Sequence, residues 1–270
     1  MSRADRTQPP VLEVKGARKA FGSVQALADA SIEVYPREIV ALLGDNGAGK
    51  STLIKAISGA FALDAGEIRL NGQPVHFRSA IEARAAGIET VHQDLGVFDN
   101  LTATENFFAG GEIAGPKWLG PLAFLNNRRM HEEWARQAAR LGLVIKQGDQ
   151  EVGLMSGGQR QMIAVARAVA FAQRLVILDE PTAALSVRAT QEVLELIRRL
   201  PDSGVSVILI SHQLDAVRQV CDRAVVMRLG RDVGHITPTA ENHERIVAMM
   251  LGAATGERAP DVAAAATPPG

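Results

Sequence analysis

Gly44-Asp-Asn-Gly-Ala-Gly-Lys-Ser51 has the spacing of a loop that wraps backbone N–H groups around phosphate oxygens. Its glycines let the chain curl, and Asp45, Asn46, Gly47, Ala48 and Gly49 form its body. Lys50 is long enough to reach the outer phosphates of a nucleotide, and the Ser51 hydroxyl is a hard ligand suited to Mg²⁺. Thr52 opens a helical stretch running to Ile57, whose N-terminal dipole favours an anion. A second group of residues is Leu175-Val-Ile-Leu-Asp179-Glu180. Four apolar residues running into two carboxylates read as a buried strand that delivers acids to a sheet edge, where open α/β folds bind ligands. Asp179 there would hold Mg²⁺, and Glu180 would orient or deprotonate an attacking water. By itself the same pattern also fits a strand ending in a solvated acidic turn. A third group, Ser156, Gly157, Gly158 and Gln159, stands just before a helical run from Arg160 to Arg167. It suits a second anion site, or a plain loop and helix cap.

The elements that must position these residues are legible in outline. Ile39–Leu43, Leu175–Leu178 and Val205–Ile210 are continuous apolar runs, as expected of strands buried on both faces. Val11–Val14 and Ala30–Val34 alternate apolar and polar residues, as half-buried strands do. Ala189, Val193, Leu196, Ile197 and Leu200 share a helical face that Pro201 and Gly204 close. Strand, helix and strand in succession predict right-handed crossovers and a mainly parallel sheet. From about residue 95 to 169 strand signals are scarce, while Met130, Trp134, Ala138 and Leu141 recur at helical spacing before a capping Gly142. This predicts a helical insert in an α/β core; the alternative is one long crossover. Residues 1–10 read as a loose tail, and the Ala/Pro-rich stretch 253–270 as disordered.

Together these motifs resemble those of ABC-type ATPases, the nucleotide-binding subunits of ATP-binding-cassette transporters, over about residues 11–251. Gly44–Ser51 is similar to the Walker A loop, Ser156–Gln159 to the signature motif, and Asp179 with Glu180 to Walker B. Gln93 in Thr90-Val-His-Gln-Asp-Leu95 resembles the Q-loop glutamine, Ala184-Leu-Ser186 the D-loop, and His212 the switch histidine. The resemblance implies a P-loop NTPase fold over residues 11–252, with an N-terminal antiparallel β portion, a mainly parallel core and a helical subdomain between Q-loop and signature motif. It implies ATP and Mg²⁺ as cofactors, with Ser51, Gln93 and Asp179 around the metal. Glu180, His212 and Gln93 would be the catalytic set. Phe21 fits the aromatic that stacks on adenine, although a core phenylalanine is the alternative. His212, without the family, would read as a structural histidine. Two positions depart from the family: Met155 stands where leucine is usual, and Ser186 replaces the D-loop aspartate, which puts communication across the dimer in doubt.

The resemblance also carries partners. In this family two cassettes sandwich two nucleotides. With one Walker A loop, one signature motif and no internal repeat, the chain is expected to form a homodimer and to dock on transmembrane permease subunits. The stretches Gly66–Gly72, Gly87–Val91 and Ser156–Gln161 are similar to the monosaccharide-importer branch, and to its single-cassette members in particular. That implies uptake of a fructose- or ribose-like sugar delivered by a periplasmic binding protein. A cassette for another substrate (an amino acid, or export) is the alternative, and a soluble ABC ATPase acting on nucleic acid or ribosomes a further one.

Composition agrees with these expectations. At 270 residues, 47% apolar and 22% charged, the chain has the make-up of a globular protein. A net charge of −1 argues against nucleic acid held by bulk electrostatics. The single cysteine, Cys221, excludes an internal disulfide and reads as a small core residue. With no apolar run near the length of a membrane span and no signal-peptide core at residues 1–10, the expected place is the cytoplasmic face of the inner membrane, with membrane contact only through the permease.

Overall fold

The computed structural model describes residues 6–115, 124–143 and 148–254. The expectations for residues 1–5 and for the tail beyond 254 lie outside the described residues, as do two short pieces of the middle segment. In chain order the described elements are β1 (Leu12–Phe21), β2 (Val24–Val34), β3 (Ile39–Leu43), α1 (Lys50–Ile57), β4 (Ala65–Leu70), β5 (Gln73–Val75), α2 (Ala80–Ala85), β6 (Ile88–Val91), α3 (Ala103–Phe108) and β7 (Ala114–Gly115). They continue with β8 (Phe124–Leu125), α4 (Asn127–Leu141), α5 (Gly157–Phe171), β9 (Leu175–Asp179), α6 (Val187–Arg199), β10 (Ser206–Ile210), α7 (Leu214–Val220), β11 (Arg223–Arg228), β12 (Arg231–Ile236) and α8 (His243–Leu251).

One mixed sheet organises the chain, in the order β5-β4-β1-β2-β12-β11-β3-β10-β9-β6. The run β6-β9-β10-β3-β11 is parallel throughout. β1, β2, β4 and β5 pair antiparallel and form an arm at the other end. The parallel strands are buried on both faces because helices cover both sides. Along β9, Val176 and Leu178 join the core under α3, α4, α5 and α6, while Leu175 and Ile177 join the core under α1 and the arm. β10 divides the same way, Val207 and Leu209 against Ile208 and Ile210.

β1 extends seven residues beyond the alternating segment Val11–Val14, to Phe21. Register shifts between Val14 and Ala17 and again at Lys19 break the two-residue period, so the outer half has no strand signature in sequence. Residues 95–169 hold α3, α4, most of α5 and the two-residue pair β7–β8. On α4, Met130, Trp134, Ala138 and Leu141 are buried, and Gly142 ends the helix at φ 65°, a left-handed conformation that suits glycine. Trp134 meets Phe107 of α3 edge-on at 5.3 Å, tying these helices together. Cys221, after α7, is packed against two of the apolar clusters, and burial pushes its thiol pKa up.

A buried ion pair anchors the opposite ends of the parallel strands. Glu38, just before β3, is fully buried, and Arg223, at the start of β11, grips it with Nε at 3.0 Å from Oε1 and Nη2 at 3.1 Å from Oε2. Arg223 Nη2 also donates to the Glu33 carbonyl at 2.7 Å. Arg223 Nη1 lies 3.0 Å from His235 Nδ1. Since a guanidinium only donates, that nitrogen must accept, and the ring is neutral. Burial first, then Arg223, lower the His235 pKa to about 4. Such a histidine binds protons in the unfolded chain before it does so in the folded one. Stability is therefore complete above pH ~6.5, the pKa of a free histidine, and declines as pH falls toward 4, by up to about 3 kcal/mol. Urea titrations at stepped pH should show this decline, and His235→Gln should flatten it; an unchanged slope would remove His235 from the account.

Candidate functional site

β3 ends at Leu43, and the chain turns through three glycines before entering α1. Gly44 has φ 148°, and a Cβ there would stand 2.4 Å from the Met227 carbonyl oxygen. Gly49 has φ 100°, and a Cβ there would stand 2.7 Å from the Ala26 carbonyl oxygen. Gly47, at φ 81°, faces open space, so that strand of the loop stays accessible. The first-turn N–H groups of α1 have no intrahelical acceptor, and no side chain caps them. Lys50 is only 7% exposed. Its Nζ donates to the Gly44 carbonyl at 2.7 Å and the Asp45 carbonyl at 3.0 Å. Burial lowers its pKa, opposed by Glu180, Asp45 and Asp179.

β9 brings Asp179 beside Ile210, the last residue of β10. The next residue, Glu180, takes φ 50°, which strains a residue with a Cβ, and its N–H donates to the Ile210 carbonyl at 3.0 Å. His212 Nε2 lies 3.1 Å from Glu180 Oε1. The two atoms are close but not aligned as a hydrogen bond, so Oε1 stays buried without a hydrogen-bond partner. Burial raises the Glu180 pKa, and His212 is the strongest counterweight. A carboxylate held in this way is more basic than a free one and points into the same space as Lys50.

These residues share one cleft of about 520 Å³. Asn46, Gly47, Ala48, Gly49, Lys50, Ser51 and Thr52 line it together with Gln93, Asp179, Glu180 and His212. Gly44 and Asp45 hold Lys50 from behind. Val24, Gln25 and Ala26 complete the rim, which sequence reasoning did not include. Phe21 lies just outside, directly across the ladder from Val24, and half its surface is exposed. That exposure removes the alternative of a core phenylalanine. The donor set fits a nucleoside triphosphate with its metal. One buried ammonium and an uncapped helix N-terminus suit phosphates, and Ser51, Asp179 and Gln93 would offer oxygen ligands to a metal. Among the described residues no group of three or more His, Cys, Asp or Glu could hold a metal ion without the phosphates.

Ser156, Gly157, Gly158 and Gln159 line a different pocket, of about 480 Å³, with Ala184, Leu185 and Ser186. The two pockets share no lining residue. Ser156 is the N-cap of α5: its Oγ accepts from the Gln159 N–H at 3.3 Å, and the Gln159 side chain accepts from the Ser156 N–H at 3.0 Å. The Ser156 hydroxyl proton remains available to a ligand. A Cβ at Gly158 would stand 2.6 Å from the Ala189 Cβ, so glycine is required where α5 meets α6. Met155 is buried in the main helical core, a place leucine would also fill. Sequence reasoning gave no role to Arg167 of α5. Its guanidinium donates to the Leu95 and Gly96 carbonyls at 3.2 and 3.1 Å, fixing the segment just beyond Gln93. No local pattern signals a contact between residues so far apart in sequence.

Comparison with known proteins gives one family model, described as ABC transporter, over residues 27–183. The chain is 48% identical over 248 residues to the fructose import ATP-binding protein FrcA of Rhizobium meliloti, which covers 91% of this chain and 95% of that protein. It is 41% identical to the xylose/arabinose import ATP-binding protein XylG of Sulfolobus acidocaldarius, over 92% of this chain and 96% of that protein. The ribose import ATP-binding protein RbsA of Geobacillus kaustophilus is 39% identical over 93% of this chain, which spans 50% of that longer protein. The crystal structure of the ADP conformation of the cassette MJ1267 superposes with a TM-score of 0.76 at 23% identity, over 90% of this chain and 99% of that one.

Ser186, which stands in place of the usual D-loop aspartate, caps α6 by accepting from the Ala189 N–H at 3.3 Å. Ser186→Ala should therefore lower stability by about 1 kcal/mol, while Ser186→Asp, an equally good cap, should not. Equal stability of all three chains in urea titration would show that the cap contributes nothing.

Proposed function

The chain belongs to the ABC transporter family, whose members are ATPases, and from that premise we propose that it is the ATP-hydrolysing subunit of a monosaccharide importer. The observation that carries the ATPase reading is the meeting of Lys50, Ser51, Gln93, Asp179, Glu180 and His212 in one cleft. The sugar reading rests on relatives named for import of fructose, of xylose or arabinose, and of ribose. Residues 11–252 act as one ATPase domain, with the stretch 95–169 as its helical subdomain.

Each residue then has a task. Lys50 exchanges its two carbonyl partners for the outer phosphates, and the first-turn N–H groups of α1 share that charge. Phe21 stacks on the adenine at the mouth of the cleft. Ser51, Asp179 and Gln93 would hold Mg²⁺, which would neutralise phosphate charge. Glu180 takes the proton of the water that attacks the γ-phosphorus, as the bond to ADP breaks and inorganic phosphate leaves. His212 contacts the γ-phosphate, and Gln93 contacts the attacking water. Ser156 and Gly158 of a second copy donate to the γ-phosphate from across the interface. That the chain's own Ser156 pocket shares no lining residue with its own cleft supports a site completed by a second copy.

The permease docks beside Gln93. A groove of about 560 Å³ there, lined by Phe98, Leu101, Phe171, Arg84 and Arg167, supports that place. Among the described residues no helix is long and apolar enough to cross a membrane. In the importer reading the permease holds the subunit at the cytoplasmic face. A periplasmic binding protein selects the sugar.

Glu180→Gln should keep ATP binding, slow hydrolysis by about 10²–10⁴-fold and accumulate an ATP-bound dimer, read by light scattering. Hydrolysis at the normal rate would remove Glu180 as the base. Mild-detergent capture from native membranes should recover a multi-span permease with a sugar-binding protein; recovery with ribosomes or DNA would contradict the importer reading.

A further inference from the structure

Phe21 does not stand alone. Its ring meets Phe61 edge-to-face, with centroids 5.3 Å apart and planes at 85°. Lys19 Nζ sits 5.8 Å from the Phe21 centroid and 5.5 Å from the Phe61 centroid, so one cation serves both rings. Asp64 holds that cation, accepting from Lys19 Nζ at 2.7 Å through Oδ1 and from the Ala20 N–H at 2.7 Å through Oδ2. These two donors keep its carboxyl pKa below the usual range. The Asp64 N–H in turn donates to the Arg18 carbonyl at 2.9 Å. The loop after α1 is thus stitched to the last residues of β1, and the stitch ends on a half-exposed aromatic ring.

We propose that Phe61 is a positioning residue for the nucleobase: with Lys19 and Asp64 it fixes the Phe21 ring as a preformed stacking face beside the cleft. This rests on Phe21 being the base-stacking residue of the proposed ATPase. A free Phe21 would lose rotamer freedom when a base stacked on it; a ring already held by an edge contact and a cation loses less, and the difference appears as affinity. The arrangement also ties the two ends of the ligand together. α1 carries the phosphate loop at its N-terminus, and the loop after its C-terminus carries Phe61, so one helix of eight residues sets the spacing between phosphate site and base platform. The sequence gives no hint of it, because Phe61 lies forty residues from Phe21 in a stretch with no motif.

The test compares binding of ATP and of inorganic tripolyphosphate to the purified full-length chain by calorimetry, since only ATP carries a base. Phe61→Ala should raise the Kd for ATP roughly 2- to 12-fold and leave that for tripolyphosphate unchanged. Phe61→Tyr should restore ATP binding, whereas Phe61→Leu, which keeps apolar volume without a ring edge, should not. Phe21→Ala is the control for the underlying reading and should raise the Kd for ATP roughly 5- to 150-fold. If Phe21→Ala weakens ATP and Phe61→Ala does not, Phe61 has no such role and Phe21 keeps its own. If Phe61→Ala weakens both ligands equally, it acts through the fold and the proposal fails. If Phe21→Ala leaves ATP binding unchanged, the base-stacking reading fails and takes the proposal with it.

Discussion

The register of the central parallel strands is the constraint on which the site depends. Ile210, the last residue of β10, lies between Leu42 of β3 on one side and Asp179 of β9 on the other. Val91 of β6 pairs with Leu178 of β9. Four strands therefore end at nearly one level, and the residues beyond each end enter the same space: the glycine loop after β3, Glu180 after β9, His212 after β10 and Gln93 after β6. A slip of one residue in any pairing would turn every side chain of that strand to the opposite face and exchange its partners in the two apolar layers. The cores on both sides of β9 and β10 thus protect the geometry of an edge they do not touch.

The same strand end serves two sites. Asp179 and Glu180 belong to the cleft that holds Lys50, while Ala184 to Ser186, a few residues on, belong to the pocket of Ser156 to Gln159. Glu180 and Ala184 both sit at positive φ, 50° and 58°, so the turn between the sites stores backbone strain at its two ends. Ser186 keeps the helix cap that an aspartate would also supply and lacks its fixed charge. Arg167 provides a physical link in the opposite direction, from the helix that Ser156 opens to the segment beyond Gln93.

How much could be read from the residues depends on how local the causes are. The glycine loop, the buried runs of β3, β9 and β10, the stripe of Met130, Trp134, Ala138 and Leu141 and the cap at Gly142 are local patterns, and each stands where its period or composition put it. Strand order and the outer half of β1 are not local: register shifts erase alternation in β1, and neighbours such as β6 and β9 lie far apart in sequence. The pairs β4–β5 and β7–β8 are close in sequence, and β4–β5 turns at Asn71-Gly72, but their strands are too short to show a period. For the candidate site, residue identities were legible and their contacts were not. That Lys50 is held by the Gly44 and Asp45 carbonyls, that Glu180 keeps a buried oxygen without a hydrogen bond and that Phe21 leans on Phe61 all depend on side-chain geometry, which no motif encodes.

The central claim is that hydrolysis needs the cleft of one copy and the Ser156 pocket of another. Mixing two inactive chains tests it most directly, one carrying Lys50→Ala and the other Ser156→Arg. Each alone has two broken composite sites. A mixed dimer has one site with both halves intact, built from the Lys50 cleft of the second variant and the Ser156 pocket of the first. ATP hydrolysis should be negligible for either variant and should return on mixing, to roughly a quarter of the native rate if copies pair at random and the sites act independently. Full activity of the Ser156→Arg chain alone, or no recovery on mixing chains shown to associate, would contradict a site shared between two copies.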